Sequence, residues 1–450
     1  MDETLARRFG DRRVPRYTSY PTTPHFTAAI DENAYRSWLG SLAAQRRLSL
    51  YLHVPFCRSL CWYCGCHTRV AVDDEPIRHY CSTLLAEIDL LGAALPARFA
   101  VTHLHWGGGT PTIIGAKRFA AVMARLGQVF ALSEDAEIAV EIDPRRLDQA
   151  MIEAMAGSGV NRASLGIQSF DPEVQQAVNR IQDYEATAGA AAALRKAGIT
   201  RLNVDLIYGL PHETVASCRA TVAATLALGP DRLAVFGYAH MPTLLRHQRL
   251  IDEAALPDVV ERLRQYSAIA DDLVAAGYVP IGLDHFARRG DALATAAANG
   301  RLRRNFQGYT TDDADALLGL GASAIGALPQ GYVQNAVPIR EWRSQVEAGH
   351  LPIARGIALS AEDRLRRDII ERLMCDMRVD LQAAVGRHGV AMDAVAAPLA
   401  ALKPLADEGI VRLEDDAVAV PAEARPFLRS VAAAFDAHLD GSAGRHSRGI

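Results

Sequence analysis

Between residues 49 and 286 the chain alternates two hydrophobic rhythms. Short apolar segments rich in β-forming residues occupy 49–54, 100–106, 137–143, 162–167, 201–208 and 232–238, and 278–286 is a seventh candidate. Between them apolar positions recur at helical spacing over 77–93, 115–130, 148–157, 183–197, 213–227 and 257–276, with Gly127, Gly198 and Gly277 at helix ends. Such strand–helix repeats predict parallel strands joined by helical crossovers. Six or seven strands suffice for most of a barrel, although periodicity alone leaves a doubly wound sheet open.

The polar residues favour the barrel. They gather at the C-terminal ends of the strands: four cysteines after the first, Trp106-Gly107-Gly108-Gly109-Thr110 after the second, Glu141 and Asp143 at the third. Gln168 follows the fourth strand, Asp205 and Tyr208 lie on the fifth, and Tyr238-Ala239-His240 ends the sixth. In a parallel barrel these ends meet at one face, where active sites are built. The glycine run lets backbone approach a ligand, but it is neither a Walker loop nor a dinucleotide fingerprint.

Residues 1–35 show no strong periodicity, and Pro15-Arg16-Tyr17-Thr18-Ser19-Tyr20-Pro21 begins a stretch too rich in proline for a continuous helix. They read as an N-terminal arm, either wrapped on the surface or reaching the active site. Residues 36–355 form the catalytic unit. Within it 284–312 is less regular, and its aromatics and arginines suit a packed loop or a flat acidic ligand. A smaller, mostly helical domain fills 356–450. Ser360 starts a helix whose buried face is Ile369, Ile370, Leu373, Met374 and Met377. Further helices are predicted at 399–409 and 422–438, around strands at 410–413 and 417–420. This order resembles a winged helix, yet no basic stripe accompanies it, which argues against nucleic acid. The tail 445–450 is expected to be flexible unless docked.

The length of 450 residues suits two to three domains, and a net charge of −4 excludes a global basic field for nucleic acid. The start lacks an apolar leader and no apolar run is long enough to span a membrane. Cys81, Cys218 and Cys375 fall in helical patterns and read as buried free thiols. The expectation is a reduced, cytoplasmic enzyme.

Four of the seven cysteines, Cys57, Cys61, Cys64 and Cys66, fall within ten residues. Thiolates suit zinc or an iron–sulfur cluster. Zinc requires all four cysteines, or three with His53 or His67, because no second pair exists downstream. A [4Fe–4S] cluster requires only Cys57, Cys61 and Cys64, with one iron open, and the spacing favours it. A disulfide is less favoured, because nothing marks a secreted chain.

The C-x3-C-x2-C spacing with Tyr63 before the third cysteine resembles the radical S-adenosylmethionine (SAM) superfamily. Cys66, Tyr51, the phrase His53-Val54-Pro55-Phe56-Cys57 and the arm from Pro15 narrow the resemblance to the oxygen-independent coproporphyrinogen III oxidases, and it spans nearly the whole chain. It implies a partial parallel (β/α) barrel of the radical SAM type. It implies a [4Fe–4S] cluster on Cys57, Cys61 and Cys64, and two molecules of SAM. Tyr51 and Cys66 would stand at the catalytic centre. Tyr51, Gly108, Gly109, Thr110, Glu141 and Ile325 would serve the first SAM, and Tyr63, Gln168, Arg180, Asp205 and Ala239 the second. Arg16, Arg288 and Arg304 are candidate partners for substrate carboxylates. Ser169 is a departure, since relatives often carry Asp there.

The implied reaction converts two propionates of coproporphyrinogen III to vinyl groups, giving protoporphyrinogen IX, by a 5′-deoxyadenosyl radical made from SAM. It needs an external electron donor and an electron acceptor, and the chain is expected to be a monomer. Haem-binding or haem-delivering relatives are one alternative, and they typically lack the fourth cysteine and the arm; haem-degrading relatives are another, separated by a substrate assay. A zinc-stabilised winged-helix regulator is a third reading.

Overall fold

A computed structural model describes residues 3–10 and 12–439; the expectation for 445–450 lies outside the described residues. Strands β1 (Arg47–Val54), β2 (Ala100–Gly108), β3 (Ala131–Ile142), β4 (Arg162–Gln168), β5 (Arg201–Tyr208) and β6 (Arg232–Gly237) lie side by side in that order, all parallel. The predicted helices cross between them, at Glu75–Ala94, Ala116–Val129, Gln149–Gly157, Tyr184–Lys196, Val215–Ala227 and Val259–Ala275.

Successive strand residues point to opposite faces, and here the two faces differ in chemistry. Leu50, Leu52, Leu104, Trp106, Val140 and Leu165 are buried in the main core. Their neighbours Ser49, His103, His105, Glu141, Ser164 and Asp205 line an internal cavity. The barrel interior is therefore polar, while its outer face packs on the helices.

Residues 278–286 are not one strand. They form β7 (Tyr278–Ile281) and β8 (His285–Arg288), antiparallel to each other, with β8 also antiparallel to β6. The reversal occurs at Gly282, where φ is +53°, a conformation that glycine accepts without a Cβ clash. Nor is 284–312 irregular. It holds a helix at Ala292–Ala298 and a hairpin of β9 (Arg303–Asn305) and β10 (Gly308–Thr310). The seventh parallel strand is β11 (Ala316–Leu320), paired with β1. It is followed by antiparallel β12 (Ile325–Leu328), β13 (Gly331–Asn335) and β14 (Ile353–Ala358). The sheet order runs from β14 to β11, then β1 to β6, β8 and β7, so the barrel stays open.

The main sheet's last strand, β14, runs to Ala358, past the expected boundary at 356, and the helix expected from Ser360 is present. Ser360 caps the helix Ala361–Asp376 in a capping box with Asp363. A three-stranded sheet of β15 (Arg378–Asp380), β16 (Arg412–Glu414) and β17 (Ala417–Ala419) completes the winged-helix outline. The helix expected over 422–438 is broken into Ala422–Phe427, Leu428–Ala432 and Ala433–Phe435, with Pro426 inside the first piece. A second core joins Ala6, Phe9, Tyr17 and Tyr20 to Leu263 and to Ile369, Leu373 and Phe427. The N-terminal segment includes a helix, Glu3–Phe9, that the sequence reading missed. No single described helix is long and apolar enough to cross a membrane.

Candidate active site

The cysteine loop leaves β1 through Pro55 and returns along it. The two-residue strand Phe56–Cys57 pairs in parallel with Arg69–Val70. Each of the three predicted ligand sulfurs accepts a polar contact. Thr68 and Thr110 donate their hydroxyls to Cys57 Sγ at 3.4 and 3.5 Å. Arg180 donates to Cys61 Sγ at 3.5 Å, and the Cys66 amide to Cys64 Sγ at 3.4 Å. Hydrogen bonding from Cys66 holds the Cys64 thiol at about 7, whereas burial pushes Cys57 up.

These residues fit a thiolate-bound cluster. They do not fit zinc with a histidine. His53 meets Tyr51 Oη through Nδ1 at 2.9 Å and the His67 carbonyl through Nε2 at 3.0 Å, and His67 Nε2 meets the Val337 carbonyl. Among the described residues no three His, Cys, Asp or Glu side chains are placed to hold a single metal ion.

The glycine run tucks β2 under the cysteine loop. The Gly109 and Thr110 amides donate to the carbonyls of Val54 and Phe56 at 2.9 and 2.8 Å. A Cβ on Gly109 would lie 2.5 Å from the Phe56 oxygen. A ligand's ammonium only donates, so among this run's backbone groups it is the carbonyl oxygens that can receive one. Glu141 accepts from the Gly108 amide at 3.2 Å and meets His105 Nε2 at 3.0 Å.

Two cavities open beside the loop, of about 710 and 680 Å³. Tyr63, Cys64, Gln168, Asp205 and Ala239 line the first; Tyr51, Gly108 and Ile325 line the second. They meet at Arg16, Gly65, Cys66 and Glu141, which border both. Cys57, Cys61, Gly109, Thr110 and Arg180 line neither. Arg180 sits behind Cys61, donating also to the Gly166 carbonyl at 2.5 Å. Burial works against its charge, but Tyr63, Cys61 and Asp143 outweigh burial and hold it protonated. Burial lifts Asp205 to about 7. Gln168 has φ +73° at a register shift that ends β4. The Ser169 hydroxyl turns away to Thr221 and the Asp171 amide.

Of the three candidate arginines, Arg288 lies outside the cavities and donates to the Pro230 carbonyl. Arg16 and Arg304 line the first cavity, near Asp284 and Arg429. Arg304 covers the Tyr309 ring at 4.4 Å, and its buried Nε and Nη1 lack hydrogen-bond partners.

Sequence reasoning missed His105, whose signal was visible in the alternation His103-Leu104-His105-Trp106. It also missed His247 and Gln248, for which no local signal exists. His247 Nε2 meets the Cys64 carbonyl at 2.7 Å, and Gln248 Nε2 donates to the carbonyls of Tyr63 and Ala239 at 3.0 and 3.1 Å.

Comparison with known proteins places this geometry. Residues 51–224 match the radical SAM superfamily model, and residues 359–427 match the HemN C-terminal domain. The oxygen-independent coproporphyrinogen III oxidase of Bradyrhizobium diazoefficiens is 55% identical over 100% of both chains. That of Escherichia coli K12 is 40% identical over 94% of this chain and 93% of its own. The solved E. coli coproporphyrinogen III oxidase, HemN, described as a radical SAM enzyme, superposes with a TM-score of 0.91 at 38% identity, covering 97% of this chain and 99% of its own. The chain therefore belongs to the oxygen-independent coproporphyrinogen III oxidase family of radical SAM enzymes, which use a [4Fe–4S] cluster and SAM.

Proposed function

We propose that this chain decarboxylates two propionates of coproporphyrinogen III to vinyl groups without oxygen, giving protoporphyrinogen IX. The observation that carries this reading is the three-thiolate loop opening beside two joined cavities whose wall includes Arg16 and Arg304. Cys57, Cys61 and Cys64 hold the cluster. Bound together, cluster and SAM supply the one-electron chemistry that takes hydrogen from an unactivated carbon, which no protein side chain can do.

The chain's own task is placement. Tyr51, Glu141 and Ile325 hold one SAM, with the carbonyls of the glycine run receiving its ammonium. Tyr63, Gln168, Asp205 and Ala239 hold a second; Arg180 acts from behind through Cys61. Two molecules match two propionates, and the two cavities supply the room. Cys66 and Glu141, on the shared border, stand where both meet the substrate. Arginine suits carboxylates because its planar fork donates two parallel hydrogen bonds, so the free donors of Arg304 and the nearby Arg16 receive the propionates.

The test is anaerobic turnover of the reconstituted protein with reductant, SAM and coproporphyrinogen III. Two successive losses of CO2 matched to 5′-deoxyadenosine are expected. SAM cleavage without decarboxylation would instead favour haem handling. Cys61→Ala is expected to lose the cluster and all turnover; an active variant with full iron content would overturn the ligand assignment.

A further inference from the structure

The outer side of the cysteine loop is assembled from segments that are distant in sequence. The Ala71 amide donates to the Cys57 carbonyl at 2.9 Å, and Arg58 donates to the Val72 carbonyl at 2.7 Å. Asn179 donates to the Leu60 carbonyl, and the Trp62 amide to Val178. His247 and Gln248 hold the loop at Cys64 and Tyr63. Residues 58–72, 178–182 and 244–251 thus surround the loop, with 144–147, whose Arg145 reaches Cys61 Sγ at 4.0 Å, and together they contain seven arginines and no Asp or Glu. In a chain of net charge −4 this is a local inversion of sign.

Of the carboxylates that border these segments, Asp73 is exposed and without a partner among the described residues, and the others are engaged. Asp74 pairs with Arg118 and Asp143 with Arg145. Asp148, Asp183 and Asp252 each cap a helix. Arg58, Arg69, Arg146, Arg246 and Arg249 have no carboxylate partner among the described residues.

The same segments expose apolar surface. Of the eight exposed large apolar side chains among the described residues, Val70, Val72, Ile181, Leu244 and Leu250 lie here, and Val72 is 80% exposed. Exposed apolar groups rimmed by unpaired charge predominantly of one sign mark an interaction surface.

We infer that this arginine-rich apolar rim docks a small acidic one-electron carrier protein, which reduces the cluster through the outer side of the loop. The inference rests on the proposed function, since only a cluster enzyme needs that electron. One electron leaves the carrier, which is oxidised by one unit, and the cluster gains it; no bond is made or broken. The opposite side of the loop faces the two cavities, so a carrier on the rim leaves SAM and substrate undisturbed.

Arg69→Glu combined with Arg249→Glu tests the rim, with an acidic flavodoxin as the probe. Binding of the cluster-free protein to immobilised flavodoxin is expected to weaken at least tenfold, and wild-type binding to weaken steeply with salt. Flavodoxin-driven turnover should fall by a similar factor, while dithionite-driven turnover stays within twofold. Val72→Ser with Leu250→Ser should weaken binding without changing its salt dependence. Unchanged flavodoxin affinity in both variants, or salt-independent binding by wild type, would overturn the inference. So would a concentration-dependent dimer disrupted by Val72→Ser, which would give the rim to a second copy of this chain. Failure of wild-type turnover with dithionite would overturn the proposed function, while the binding measurement would still decide the rim.

Discussion

At the scale of single residues, the same chemical group serves different ends according to what surrounds it. Asp284 and Asp205 both face the first cavity. Burial penalises the charge of each. Beside His285, Arg304 and Arg16, Asp284 is nevertheless held down at about 2, whereas for Asp205 burial and the nearby Glu141 outweigh the Ser164 hydroxyl, His105 and Arg180, and it rises to about 7. Asp205 therefore changes charge in the working range. An ionised carboxylate accepts hydrogen bonds better than a neutral one, so if Asp205 holds SAM as proposed, SAM affinity there is expected to improve as pH rises through about 7. Asp205→Asn should raise the KM for SAM roughly tenfold, the cost of about one good charged hydrogen bond, and should flatten its pH dependence between pH 6 and 8. A pH-dependent KM that persists in the variant would assign the titration to another group.

At the scale of elements, the six central strands and their crossovers are legible because two clear periods alternate over long stretches. The polar interior is legible too, in the strand ends and in the His103–His105 alternation. The strands from β11 to β14 are not. They are four to six residues long, interrupted by glycine and, after the parallel β11, antiparallel, and β11 finds its partner β1 far away in sequence. The roles of His247 and Gln248 are equally unreadable, since each acts on a backbone carbonyl more than 180 residues earlier.

Two element junctions carry predictions. At the end of β2, Gly109→Ala would push a Cβ against the Phe56 carbonyl and the Thr68 side chain. Cluster incorporation should fall severalfold, read as iron per chain, while the far-UV circular dichroism of the barrel is kept. Behind β11, Glu87 is fully buried and accepts from the Gly321 amide, Asn335 and Trp342 at 2.7, 2.7 and 3.1 Å. Burial raises it to about 8. Between the ordinary glutamate value and that limit the folded chain holds a proton that the unfolded chain has released, so this contribution to stability is present at acid pH and lost as pH rises through about 8. Wild-type Tm should accordingly fall relative to Glu87→Gln from about pH 5 to pH 9; a constant gap would show that Glu87 does not titrate there.

At the scale of the whole molecule, the arm binds the two domains into one body. Tyr17 and Tyr20 belong to the C-terminal core, where Tyr17 donates to Asp436 at 3.0 Å and Tyr20 accepts the Ala437 amide at 3.0 Å. Between them and the helix Glu3–Phe9, Arg16 projects into the cavities, its guanidinium donating to the Gly237 carbonyl at 3.2 Å. Anchor and functional group thus lie one residue apart, and substitution can separate them. Tyr17→Phe removes a hydrogen bond worth about 1 kcal/mol and should lower Tm by a few degrees, with little change in KM. Arg16→Leu removes an exposed cation and its hydrogen bond to the Gly237 carbonyl, so Tm should change little. If Arg16 receives a propionate, the KM for coproporphyrinogen III should rise at least tenfold while the KM for SAM stays within twofold. A loss of Tm in Arg16→Leu with unchanged KM for both ligands would instead make the arm a strap between domains and nothing more.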